Sequence, residues 1–194
     1  MKPVLKLFTA AILLAGSVAV LPAAAADYVI DSKGAHASIN FKIKHLGYSW
    51  VVGRFDKFTG QFSFDDKAPD ASSISVEIDT SSVNTNHAAR DKHLRSADFL
   101  EVAKYPTAMF KSTSVKAGAG GKAVVEGTLT LHGVTKAITI NAEYIGGGKD
   151  PWGGIRQGFA GTTSFALEDF GITKNLGPAS KVIQLELHME GVRK

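Results

Sequence analysis

From Asp27 onward, apolar and polar positions alternate with period two along most of the chain, the mark of strands with one buried and one wet face. Ala37, Ile39, Phe41 and Ile43 share one face, while Ser38, Asn40, Lys42 and Lys44 share the other. The rhythm recurs in Phe58-Gly60-Phe62-Phe64, in Ile74-Val76-Ile78, in Val125-Gly127-Leu129-Leu131 and in Ile138-Ile140-Ala142-Tyr144. It returns in Phe159-Gly161-Thr163-Phe165-Leu167, and most clearly in Ile183-Leu185-Leu187-Met189. Turn residues separate the runs at 65–70, 118–121, His132-Gly133, 146–154 and 176–180. One segment breaks the alternation: residues 86–100 combine helix formers with an N-cap candidate, Asn86, and predict a short polar helix of two or three turns.

Some eight to ten one-faced strands must bury those faces against one another, in a closed antiparallel barrel or a two-sheet sandwich. The barrel is preferred because closure leaves no exposed edge strands. At about eight strands its interior is either filled by side chains or just wide enough for a small ligand, and periodicity alone does not choose. No internal repeat or long linker divides the chain, so residues 27–194 read as one domain.

The N-terminus reads differently. Lys2 and Lys6 precede an uncharged apolar run, Pro22 breaks it, and Ala24-Ala25-Ala26 supplies the small-x-small pattern of a signal-peptidase site. Residues 1–26 are therefore expected to be a cleaved signal peptide of the general secretory route, leaving no membrane span, with the periplasm as the compartment. A retained anchor is the alternative, since residues 7–26 carry no charge.

The chain has no cysteine, which excludes disulfides, thiolate metal sites and a cysteine nucleophile. Beyond the leader, 20 Lys and Arg face 18 Asp and Glu, too even a balance to draw nucleic acid. There is no GxSxG elbow, P-loop or GxGxxG, and no HExxH or HxH pair. Neither a cofactor nor a metal is expected, and the protein reads as a non-enzyme. The densest polar cluster is His87, Arg90, Asp91, Lys92, His93 and Arg95 in the predicted helix. His87 and Asp91 would share a helical face, with His93 about 120° away. Such a cluster is either a solvated connector or a set of cationic donors to a ligand head. Trp50 and Trp152 are candidate stacking residues, or plain aromatic anchors.

Three segments carry a resemblance: His45-Leu-Gly-Tyr-Ser-Trp50, residues 85–100 continued by Lys104-Tyr-Pro106, and Gly127-Thr-Leu-Thr-Leu-His-Gly-Val-Thr-Lys136. With Asp150-Pro-Trp-Gly153 and Leu176-Gly-Pro-Ala-Ser180, they make the chain from Tyr28 to Val192 resemble the YceI family of periplasmic proteins. The resemblance implies an all-β, eight-stranded, lipocalin-like antiparallel barrel whose interior holds a polyisoprenoid or quinone-like lipid for transport, storage or sequestration in envelope stress. On that reading the tail contacts are Phe41, Ile43, Phe62, Phe64, Ile78 and Phe110, with Leu129, Ile140, Tyr144, Phe165, Leu185 and Leu187. His45, Arg90, His93 and Trp152 are the candidates for the ligand head at the mouth. The alternatives are a filled barrel acting through a protein partner, and a hydrolase of isoprenoid lipids. A homodimer through edge strands or helices stays open.

Overall fold

The computed structural model describes residues 25–194. Most of the expected signal peptide, residues 1–24, lies outside the described residues. The strands are β1 (Ala26–Ile30), β2 (Ser38–His45), β3 (Ser49–Phe55), β4 (Phe58–Phe64), β5 (Ser73–Asp79) and β6 (Val83–Asn84). After helix α1 (Ala88–Leu94) come β7 (Thr107–Ala117), β8 (Lys122–Leu131), β9 (Val134–Lys149), β10 (Ile155–Ala166) and β11 (Val182–Arg193).

Eight of these strands close an antiparallel barrel in the order β1-β4-β5-β7-β8-β9-β10-β11, with β11 returning to β1. Closure removes the sheet edges that an open arrangement of one-faced strands would expose. The other three, β2, β3 and β6, continue the sheet as a flap. They can do so because β11 divides its partners: residues 191–193 pair with β1, whereas 183–188 pair with β2. Eleven strands are described against the eight to ten that alternation predicts, because β1, β3 and the two-residue β6, which carry little alternation, also pair into the sheet.

Local chemistry fixes the turns and kinks. Leu131 pairs with Val134 across the two-residue turn His132-Gly133, whose φ values of 51° and 74° are both left-handed. That is a tight hairpin turn whose second position suits glycine. Two register shifts bend the wall: Thr113 is the extra residue in β7, and Ile145 is the extra residue in β9, opposite Gly158 and Phe159 of β10.

Inside the barrel, Tyr28 stacks on Phe62 with ring centroids 5.0 Å apart, and Phe62 meets Phe159 edge-on at 5.4 Å. At one pole Phe99, Leu131, Phe170 and Ile172 are buried in the same apolar cluster, and Phe170, 1% exposed, is closed over by Phe165 at 5.0 Å.

Helix α1 is shorter than the 86–100 segment suggested, and its cap differs. Asn86 is in a left-handed conformation (φ 59°), while the extended His87 is the N-cap, its Nδ1 accepting from Arg90 N–H at 3.2 Å. Nor is Asp91 on a wet face with His87. It is buried and accepts from the Thr85 N–H at 2.9 Å and the Thr85 hydroxyl at 2.5 Å. Arg90 completes the knot by donating to Thr85 Oγ1 and to its carbonyl at 2.7 and 2.8 Å. Among the described residues no helix is long and apolar enough to cross a membrane.

Candidate functional site

Alternation aims one side chain in two at the barrel axis, and these side chains do not fill the space they enclose. A cavity of about 370 Å³ remains, within the usual range of small-molecule sites. Its depths are walled by buried Ile39, Val76, Ile78, Phe110, Leu129 and Ile140. Closer to the surface the wall becomes small, with Ala117, Ala123 and Ala142, and the buried Gly161 continues that row inward. At Gly161 even a Cβ would come within 3.0 Å of Ile140 Cγ2.

The cavity opens at one pole. Its exposed lining residues, among them Asp66, Ser73, Gly118, Lys122 and Glu143, all lie where the β4–β5 and β7–β8 connections frame the barrel end. Charge there is of both signs. Ser72, in the same rim, carries a buried Oγ without a hydrogen-bond partner among the described residues, a group that a bound polar atom would satisfy.

Of the twelve side chains expected to touch a lipid tail, nine line this cavity: Phe62, Phe64, Ile78, Phe110, Leu129, Ile140, Tyr144, Leu185 and Leu187. Three lie elsewhere. Phe41 packs under the flap against Phe55 at 5.8 Å, Ile43 is further along the same strand, and Phe165 is taken up by Phe170. Ile39, Ile74, Val76, Val125, Ile138, Phe159 and Met189 line the cavity too, from strand faces that the alternation had already turned inward. Val115 and Ala117 are not legible from alternation, because the shift at Ser112/Ser114 reverses the faces of β7, whereas Ala123 continues the inward face of β8 two residues before Val125.

The four head-group candidates are dispersed, and the lining includes none of them. Arg90 and His93 sit on α1, which follows the flap strand β6 and leads into the filled pole, where His93 meets Phe99 edge-on at 5.0 Å. His45 ends β2 on the flap. Trp152 tips the β9–β10 hairpin, 81% exposed, with the Arg156 guanidinium 5.9 Å from its ring centroid. The rim is built from turns whose Asp, Pro, Gly and Lys residues carry the sequence signal of turn formers alone.

A second polar group lies between strands rather than in the cavity. Asp31, His36 and Glu190 bring ligand-type atoms within 4.8 Å of one another. Arg156 supplies the cation there, donating to Asp31 at 2.8 Å, Glu190 at 2.6 Å and Asp150 at 2.7 Å. Hydrogen bonds from His36 and then Arg156 lower the Asp31 carboxyl to about 2, and the three carboxylates raise Arg156 further above its ordinary range. The arrangement is an ion-pair knot tying β10 and β11 to the turn after β1.

Comparison with known proteins agrees with this architecture. Residues 28–191 match the model of the YceI-like domain. A UPF0312 protein of Ectopseudomonas mendocina is 57% identical over 189 residues, covering 97% of this chain and 99% of its own. The crystal structure of the Campylobacter jejuni YCEI protein superposes with a TM-score of 0.70 at 32% identity, over 79% of this chain and 91% of that one. A polyisoprenoid binding domain from Saccharophagus degradans shares the fold, with a TM-score of 0.64 at 18% identity over 88% and 99% of the two chains. The closed barrel, its inward wall and the match over nearly all described residues together place the chain in the YceI family.

Proposed function

We propose that the protein is a binding protein that holds the apolar chain of a polyisoprenoid or similar amphiphilic lipid in the barrel, head outward at the β4–β5 and β7–β8 rim. The observation that carries this reading is the cavity itself: about 370 Å³, walled almost wholly by apolar side chains and open at a single pole. Removing a hydrocarbon chain from water is worth about 2.5 kcal/mol per 100 Å², so affinity follows from the chain with little polar help. Part of that gain is offset by the ordering of the chain. The polyisoprenoid binding domain of Saccharophagus degradans, which shares the fold, supports the same ligand class.

The rim supports a choice of head. Lys122 is matched there by Asp66 and Glu143, a mixed field that suits an uncharged, hydrogen-bonding head such as a quinone better than a diphosphate. The basic, apolar and small-residue pattern of residues 1–26 supports export, and with it a periplasmic carrier or store.

Native mass spectrometry of protein purified without detergent, followed by organic extraction, tests the reading. The expected result is a stoichiometric extra mass that extracts as an intact prenyl compound. A bare mass that stays unchanged after incubation with quinones and polyprenyl phosphates would overturn it.

A further inference from the structure

The flap presents a second surface, remote from the cavity rim. On its outer face Lys44 pairs with Trp50 and Lys42 with Val52, because alternation turns all four away from the core. Both ammonium groups hang over the same indole, at 5.2 and 5.6 Å from the Trp50 ring centroid. Val52 is 60% exposed, and the turn joining the two strands adds Leu46 and Tyr48, the latter 87% exposed. Val182, at the start of β11, extends the apolar area beyond the Ile183–Ile43 pair.

Charge selects the occupant. Neither Lys42 nor Lys44 forms an ion pair among the described residues, whereas Arg54, further along β3, is held by Asp56 at 2.6 Å. The patch is apolar, aromatic and cationic, and Glu186, the acid that lines a groove with Lys42 and Val52, is held by His188 at 3.1 Å. A partner must accept indole and phenol rings and offer negative charge. A second copy of the chain stacked face to face would bring these lysines against their own equivalents. An anionic bilayer surface meets both needs, since Trp and Tyr favour the headgroup level and lysine stems lie along apolar surface while their ammonium groups reach phosphates.

We propose that the outer face of the β2–β3 hairpin is a peripheral docking site for an anionic lipid bilayer, with Trp50, Tyr48 and Leu46 entering the headgroup layer and Lys42 and Lys44 paired to lipid phosphates. The patch lies toward the filled pole, so the docked protein keeps the cavity rim at the far end of the strands. The contact is a tether, and it holds whether or not the cavity carries lipid.

The chain has two tryptophans, so Trp152→Phe leaves Trp50 as the sole tryptophan, read by excitation at a wavelength that tyrosine does not absorb. This variant is titrated with vesicles of phosphatidylglycerol and phosphatidylcholine, and separately with phosphatidylcholine alone. The expected result is a blue shift of Trp50 emission and co-sedimentation with the anionic vesicles only. Lys42→Gln with Lys44→Gln, both exposed and outside the core, should weaken that binding about 30-fold while leaving the far-ultraviolet circular dichroism unchanged. Three results would overturn the proposal: no shift with anionic vesicles, equal binding by the double variant, or a shift that grows with protein concentration without vesicles and coincides with dimer in sedimentation. The reciprocal Trp50→Phe protein reports on the β9–β10 hairpin, and a vesicle-induced shift of Trp152 in place of Trp50 would equally reject the flap.

Discussion

The two poles of the barrel are made from the same strands and end differently. At one, Phe99, Leu131, Phe170 and Ile172 fill the space between strands, with His132 Nδ1 donating to the Phe170 carbonyl at 3.1 Å. At the other, Ala117, Ala123 and Ala142 leave the same cross-section empty, and the connections at 65–72 and 118–121 skirt the opening without entering it. The strand pattern is common to both. What separates a core from a binding cavity here is the size of the inward side chains and whether a connecting segment folds back over the end. The filled pole is packed core, and the unfilled space lies toward the open one.

The largest expected effect breaks the filled pole. Phe170→Ala removes a ring that is 1% exposed and should cost about 3–5 kcal/mol of folding stability, read as a fall in the denaturant midpoint, with lipid still bound by the folded fraction. Next in size is a block at the open pole. Ala142→Trp projects an indole into the cavity and should weaken prenyl-lipid binding at least about tenfold, with a much smaller change in the midpoint. If affinity survives that variant, the lipid binds elsewhere.

A third variant separates the poles from the other side. Arg90→Ala with His93→Ala removes the donors to Thr85 and the partner of Asp98, and should cost about 1–2 kcal/mol of stability with lipid affinity unchanged. A selective loss of lipid would instead put the head group at α1. The smallest effect concerns the knot beside the barrel. Asp31 has its folded-state pKa lowered to about 2, so it stabilises the fold above the unfolded value of about 3.8 and loses that contribution as pH falls through about 2. Asp31→Asn should be less stable than the parent at neutral pH, by about 1 kcal/mol once solvent screening is allowed for. The gap should close between about pH 4 and pH 2 in parallel denaturation curves.

The barrel wall was legible because period-two alternation is a local property: Ile183-Leu185-Leu187-Met189 states its inward face without reference to any other strand. Nine of the expected tail residues line the cavity for that reason. The flap was not legible, since the division of β11 between two partners is decided by a break at residues 31–37 that resembles any other turn. The residues framing the cavity are not marked in the sequence for a related reason. The dense cluster at 87–95 has the composition of a ligand-binding mouth, but side chains such as Arg90 and Asp91 are taken up by Thr85 and by closing a loop. The loops that frame the opening carry few distinctive residues, and only their position in the closed sheet marks them. That the interior is hollow depends on volumes summed around the whole ring, which no single strand records.

On the proposed function an apolar chain occupies the open half of the barrel and enters past the β4–β5 and β7–β8 connections. A prenyl probe carrying a diazirine on its tail, photolysed in the complex and mapped by peptide mass spectrometry, tests it most directly. Adducts are expected on inward positions such as Ile74, Val125 and Ile138, competed away by unlabelled prenyl lipid. Adducts confined to the outer strand faces, or to Phe99 and Phe170 at the filled pole, would contradict it.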